Sequence, residues 1–512
     1  MMQRFDVLIV GAGSSGSAIA ARVSENTGLT VCLVEAGPDY PRLEELPWDL
    51  VNSHDNSYRD HDWGFTYEPT AGRSVAFPRG RVVGGSSAVN TTIALRGMPE
   101  DYDEWAAAGN PEWSWTGVLP AFCRLERDLD FGDADWHGDA GPITIRRYPR
   151  DELTAPQAAF LDAADTLGYP YCADANEPWG YGAGPHPMNK LGRLRISCAI
   201  GYLAPARLRP NLTIRADTHV NRLVIRDGRC TGVEIADVAG EVSVLEARLV
   251  VLAAGALQTP PVLMRSGIGP GGQLAAHGID VISPLPGVGA NLCDHPALSV
   301  VCHARKGVDI DHDAPIIQTI LRYTADGSDK RNDLQIEQIS FAGRRGSPPS
   351  FAIAAVLEYQ YGRGELLLAS ADPRAAPIVR NRFCEDPRDL SRLVACYKDT
   401  LAFAAVSPLA DLVEAVTFPD AARGHDDATL ETLCRNLAAS GYHPCGTAKM
   451  GPREDALAVV DQYGRCHGMD GLVVADASIM PSVPRANTNL TCIMIGEKVG
   501  EWLRTRPALY GL

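Results

Sequence analysis

Several signals are missing from this 512-residue chain, and each absence closes off a class of protein. Its thirteen cysteines include no pair at Cys-x-x-Cys spacing, so neither a structural zinc site nor a redox dithiol is signalled. Scattered thiols of this kind suit a reducing compartment. No stretch of 18 apolar residues occurs, and the chain passes from Met1 straight into Phe5-Asp6-Val7-Leu8-Ile9-Val10. Without a span or a signal-peptide core, a cytoplasmic protein is expected. Basic runs are absent too: 47 Lys and Arg face 63 Asp and Glu, a net charge of −16. Such a surface repels phosphate backbones and excludes nucleic acid as a partner. His295 and His303 have no carboxylate at ligand spacing, so no metal is expected. No repeat or low-complexity linker stands out, and 45% apolar with 21% charged residues gives no support to disorder or coiled coil. At roughly 150 residues per domain, the length predicts about three domains, or two large ones with insertions.

What is present begins at the N-terminus. Phe5 to Val10 reads as a strand buried on both faces. Ser14 to Ser24 carries Ala18, Ile19, Ala20 and Val23 on a helical period, and Thr30 to Glu35 reads as a second buried strand. The turn between the first strand and the helix is Gly11-Ala12-Gly13-Ser14-Ser15-Gly16. In such a fingerprint Gly11 permits the tight turn, Gly13 lets backbone approach a pyrophosphate, and Gly16 allows helix and strand to pack closely. Glu35, at the end of the second strand, is placed to accept hydrogen bonds from an adenosine ribose. Dinucleotide binding follows, and the acid disfavours a 2′-phosphorylated cofactor.

Further pieces of the same sheet lie far along the chain. Arg248 to Leu252 and Gly471 to Asp476 read as two more buried strands, while Gly80 to Asn90 sets paired glycines and hydroxyls where backbone must approach a ligand. The fold class expected is α/β: a discontinuous Rossmann-like dinucleotide-binding domain and a second substrate domain of mostly antiparallel sheet flanked by helices. Residues 1–150, 191–295 and 441–512 make the first, and 151–190 with 296–440 the second. The second domain is expected to hold a short helix at Ala155–Leu167 and half-exposed strands at Asp333–Ile339 and Phe351–Leu357. Gln335 and Glu337 share one face of such a strand, where residues of their kind more often meet solvent.

These segments resemble the glucose–methanol–choline oxidoreductases along nearly the whole chain. Gly80 to Asp103 looks like the family's first signature, and Gly255-Ala256-Leu257-Gln258-Thr259-Pro260 through Gly269 like its second. Gly287 to Pro296, Tyr442 to Thr447, and Asp476 to Asn489 match further blocks in order. The resemblance implies FAD and oxidation of an alcohol by hydride transfer to flavin N5. The implied cofactor contacts are Gly11, Gly13, Ser14, Ser15, Gly16, Glu35, Ala36, Arg81, Val83, Gly85, Ser86, Asn90, Thr91, Val220, Ala254, Asp476, Ala477, Asn487, Thr488 and Asn489. Several members attach flavin to a histidine; the matching position here is Val89, which implies non-covalent FAD.

By the same resemblance His443 is the active-site histidine and Asn487 its partner. An imidazole suits removal of the hydroxyl proton at neutral pH, and a carboxamide can donate to the developing alkoxide. Asn487 also stands where a helix cap is favoured, because Leu490, Ile493, Met494 and Trp502 follow at helical spacing. Cys445 reads as a small buried apolar residue rather than a nucleophile. The implied partners are a small-molecule alcohol and O2 or another electron acceptor; oligomeric state is open. Two other readings stand beside this one. A lyase of the same fold would use FAD structurally, and a nicotinamide-linked reductase would need a second fingerprint that the chain lacks.

Overall fold

A computed structural model describes residues 4–419 and 426–512. Two seven-stranded sheets organise it. In the first, Leu212–Arg215, Val31–Val34, Arg4–Val10 and Val242–Leu252 lie side by side in parallel. Val242–Leu252 then turns the sheet mixed: its first half pairs antiparallel with Arg229–Ala236, while Val250, Val251 and Leu252 pair in parallel with Leu472–Val474. The strand expected at 248–252 is therefore the inner end of a longer one, because its outer half pairs with Arg229–Ala236 instead of fraying into a loop.

The helix after the first strand spans Ser14–Val23 and lies against the long C-terminal helix Thr488–Thr505. Small residues permit that approach: a Cβ on Gly496 would meet Ser15 O at 2.5 Å. Both helices begin at one cavity, so two positive helix ends converge there.

The second sheet is antiparallel throughout, in the order Val413–Phe418, Pro296–Ala304, Ser350–Leu357, Leu334–Ile339, Ile317–Tyr323, Gly182–Pro185. Two helices, Ala155–Thr166 and Pro387–Ala405, cover one face. The longer is started by Pro387 and by the Asp386 carboxylate, which accepts from Arg388 N at 2.9 Å. Against the expectation of a half-exposed sheet, Ser350–Leu357 is buried along its whole length. The reason is that the second face is not solvent either. Gln335, Glu337, Ile339, Ala354, Val356 and Glu358 line the cavity from that side.

Beyond the cavity, Glu126, Asp128 and His137 come together in the core, a meeting the spacing of the sequence did not signal. Arg147 donates to both oxygens of Asp128 at 2.9 Å and to Asp174, and Arg96 pairs with Glu126. These acids are matched by guanidinium groups in an ion-pair network. Among the described residues no helix is long and apolar enough to cross a membrane.

Candidate active site

A cavity of about 440 Å³ runs between the two sheets. At one end lie the first glycine turn and the end of the second strand. Gly11 sits at φ +98°, where a Cβ would stand 2.5 Å from Ala253 O, and a Cβ on Gly16 would meet Gly11 O at 1.9 Å. Gly13 faces differently: its Cβ would find only Gly85 Cα, at 4.0 Å, on the side open to the cavity. Glu35 is buried, and its oxygens accept from Ala12 N (3.0 Å) and Gly37 N (2.9 Å), so it ties the glycine turn to its own strand. Burial, partly offset by these amides, pushes its carboxyl up to about 7.

The cavity brings together nearly all of the residues singled out for the cofactor: Gly11, Gly13, Ser14, Ser15, Glu35, Ala36, Gly85, Ser86, Asn90, Thr91, Val220, Ala254, Asp476, Ala477, Asn487, Thr488 and Asn489 line it. Gly16, Arg81 and Val83 are not in the lining; Gly16 packs beneath the turn, Arg81 lies over the Trp63 ring, and Val83 N bonds Pro38 O. Asp476 is spent within the protein, accepting from Gly255 N, Thr259 Oγ1 and Ser478 N at 2.6–2.8 Å. Asn489 Oδ1 accepts from Ser14 Oγ at 2.8 Å, whereas its buried Nδ2 has no partner. An orphaned amide beside two helix N-termini and an open glycine backbone fits a long anionic ligand with an acceptor-rich ring.

At the other end stands His443. Asn487 Nδ2 lies 3.0 Å from His443 Nε2. Although Asn487 is the residue before helix Thr488–Thr505, its side chain makes no cap hydrogen bond; the amide is turned to the histidine instead. Because an amide N–H only donates, Nε2 carries a lone pair and the neutral ring bears its proton on Nδ1. That nitrogen is 2.9 Å from His295 Nδ1, which must therefore accept, leaving the His295 proton on Nε2, 3.6 Å from Glu358 Oε2. Burial first, then the His295 ring and Arg79, hold His443 well below its ordinary 6.5. Burial brings His295 down to about 3. Both rings are neutral bases at physiological pH.

Sequence reasoning missed His295, which was weighed only against His303 as a metal pair. Asp294 was missed as well. One of its oxygens accepts from the backbone N–H groups of His295 (2.8 Å) and His443 (2.9 Å), the other from Asn381 Nδ2 and Ser440 Oγ. The carboxylate thus clamps both histidine segments, which also pair through Cys293 and Cys445. Cys445 is wholly buried. Tyr442, the residue before His443, takes φ +69°, a strained setting of the kind kept where a neighbour must be aimed. The signal for Asp294 and His295 lay in the block Gly287 to Pro296, whose last residues are Asp294-His295-Pro296.

Two family models described as GMC oxidoreductase match residues 5–297 and 360–496. The chain is 36% identical to a 5-(hydroxymethyl)furfural oxidase of Methylovorus sp. (strain MP688), over 98% of this chain and 99% of that one. It is 32% identical to an oxygen-dependent choline dehydrogenase of Brucella anthropi, over 98% and 96%. Among solved structures it is similar to pyridoxine 4-oxidase from Mesorbium loti, with TM-score 0.89, 28% identity, and 97% and 98% of the two chains covered.

Proposed function

Because the chain belongs to the GMC oxidoreductases, a family that binds FAD, we propose that it oxidises an alcohol to a carbonyl compound with His443 as the base. The observation that carries this reading is the neutral His443 with its Nε2 lone pair presented beside the Asn487 amide. A substrate hydroxyl that replaces the Asn487–His443 hydrogen bond donates to Nε2 and accepts from Nδ2. His443 takes the hydroxyl proton, and Asn487 holds the oxygen as charge develops on it. His295 keeps the Nδ1 proton of His443 bonded, so the imidazolium that forms is stabilised without moving. FAD, when bound, supplies the hydride acceptor at N5, and O2 or another electron acceptor reoxidises it. The cavity-lining residues from Gly11 to Glu35 and from Asp476 to Asn489 hold the cofactor, non-covalently, since Val89 occupies the attachment position.

The same reading divides the chain into an FAD-binding part, 1–150, 191–295 and 441–512, and a substrate-binding part, 151–190 and 296–440. Strands of the first sheet come only from the former and strands of the second only from the latter. The relatives named above are oxidases and a dehydrogenase, which gives the lyase alternative no support. Replacing His443 with Ala tests the assignment: flavin content stays, and anaerobic flavin reduction by alcohol slows roughly 10²–10⁴-fold. Reduction at the parent rate removes His443 from the mechanism.

A further inference from the structure

The cavity face of the antiparallel sheet changes character along its length. Next to the histidines it carries Glu358, whose Oε2 has no hydrogen-bond partner. The next row toward the far end sets Ala297 and Val356 against the cavity, with Gln335 opposite Val356 on the neighbouring strand. Past it comes Glu337, opposite Ala354 in the register and therefore four residues, roughly 13 Å along the strand, from the row of Glu358.

Glu337 has no cation of its own among the described residues. Its Oε1 accepts from Gln335 Nε2 at 2.7 Å, and its side chain keeps 13% exposure toward the cavity. Gln335, 1% exposed, also lines the cavity, and its Oε1 has no partner. His186 Nε2 stands 3.7 Å from the Glu337 carboxylate, but both its ring nitrogens lack partners and burial brings it down to about 3, so it is neutral. Arg322 is engaged elsewhere, donating to the carbonyls of Ala175 and Arg485 and to Met98 Sδ. A carboxyl facing a ligand cavity with no charged side chain beside it is either protonated or, when ionised, matched by a positive charge that the ligand brings.

We propose that Glu337, with Gln335 at its side, anchors a protonated amine on the substrate at the end remote from the hydroxyl, so that the substrate is an elongated amino alcohol with an apolar spacer. This deepens the alcohol-oxidation reading and rests on it. The titration of the site agrees. Burial pushes Glu337 up to about 7, and burial, tempered by Arg322 and reinforced by Glu337, pushes Glu358 up to about 8. An alkylamine stays charged throughout this range. Its binding therefore requires Glu337 ionised, strengthens from pH 6 to pH 8, and expels a proton to the buffer when the carboxyl began protonated.

The test uses the FAD-loaded protein. Flavin reduction by 6-amino-1-hexanol is compared with reduction by 1-heptanol, in which a methyl replaces the ammonium, at pH 6 and pH 8. Binding of n-hexylamine, which has no hydroxyl to oxidise, is measured by calorimetry in two buffers of different ionisation enthalpy. The proposal expects a KM lower by roughly 10–100-fold for the amino alcohol, a gap that widens at pH 8, and proton release with hexylamine. Glu337→Gln, checked for flavin content and unfolding temperature, collapses the KM gap and abolishes the proton release. Equal KM values for the two alcohols, hexylamine that does not bind, or a preference that survives in Glu337→Gln would overturn it. If neither alcohol reduces the flavin, the elongated amino alcohol is overturned as the substrate, hexylamine still reports on Glu337 separately, and the wider alcohol panel decides alcohol oxidation itself.

Discussion

With His443 as the proposed base, neutral imidazole is its working form, and the environment sets how far into acid that form survives. A base kept below its ordinary 6.5 by burial, by His295 and by Arg79 stays unprotonated as pH falls through 6.5. The kcat/KM of a neutral alcohol should therefore hold its plateau through pH 6.5, with the acid limb displaced well below it. A limb centred at or above 6.5 contradicts the assignment. Replacing His295 with Ala removes one of the groups that depress His443, so the limb moves up toward 6.5. The same change frees the Nδ1 bond and costs roughly 10²-fold in rate through loss of aim. A variant with an unmoved limb and parent rate would leave His295 a packing residue. That Asn487 and His443 belong to one site was legible because short blocks of characteristic residues surround each, and the structure sets them 3.0 Å apart. His295 was not, since its partner is 148 positions away and only the pairing of the Cys293 and Cys445 segments closes that distance.

Elements position these side chains by close approach of backbone. A Cβ on Gly16 would fall 1.9 Å from Gly11 O, so Gly16→Ala forces the first helix away from the strand that carries the glycine turn. The expected cost is on the order of 1–3 kcal/mol, read as a lower unfolding temperature together with reduced flavin content. Parent values for both would mean that the helix end does not position the cofactor. The β-α-β unit was readable because its apolar runs and glycines lie within 35 residues. The second sheet was readable as strands but misread in exposure: alternation in Leu334–Ile339 marks a wall facing an internal cavity, not water. Gln335 and Glu337 obey the same period either way, which is why the pattern alone did not separate the two.

For the molecule as a whole, cofactor and fold are linked. A ligand that binds the folded chain alone raises its stability by mass action, so added FAD should raise the unfolding temperature, and stripped protein should unfold sooner. On the proposal that FAD is held non-covalently, acid or heat precipitation should leave the yellow colour in the supernatant; colour kept by the washed pellet contradicts it. Which residues meet across the cavity depends on two sheets assembled from distant stretches, and that assembly is legible only in three dimensions. Anaerobic mixing of the purified yellow protein with a panel of alcohols, amino alcohols among them, tests the central claim most directly. Bleaching of the visible flavin band by at least one of them, with the matching carbonyl product formed, is the predicted result. Flavin that stays oxidised before the entire panel would contradict it.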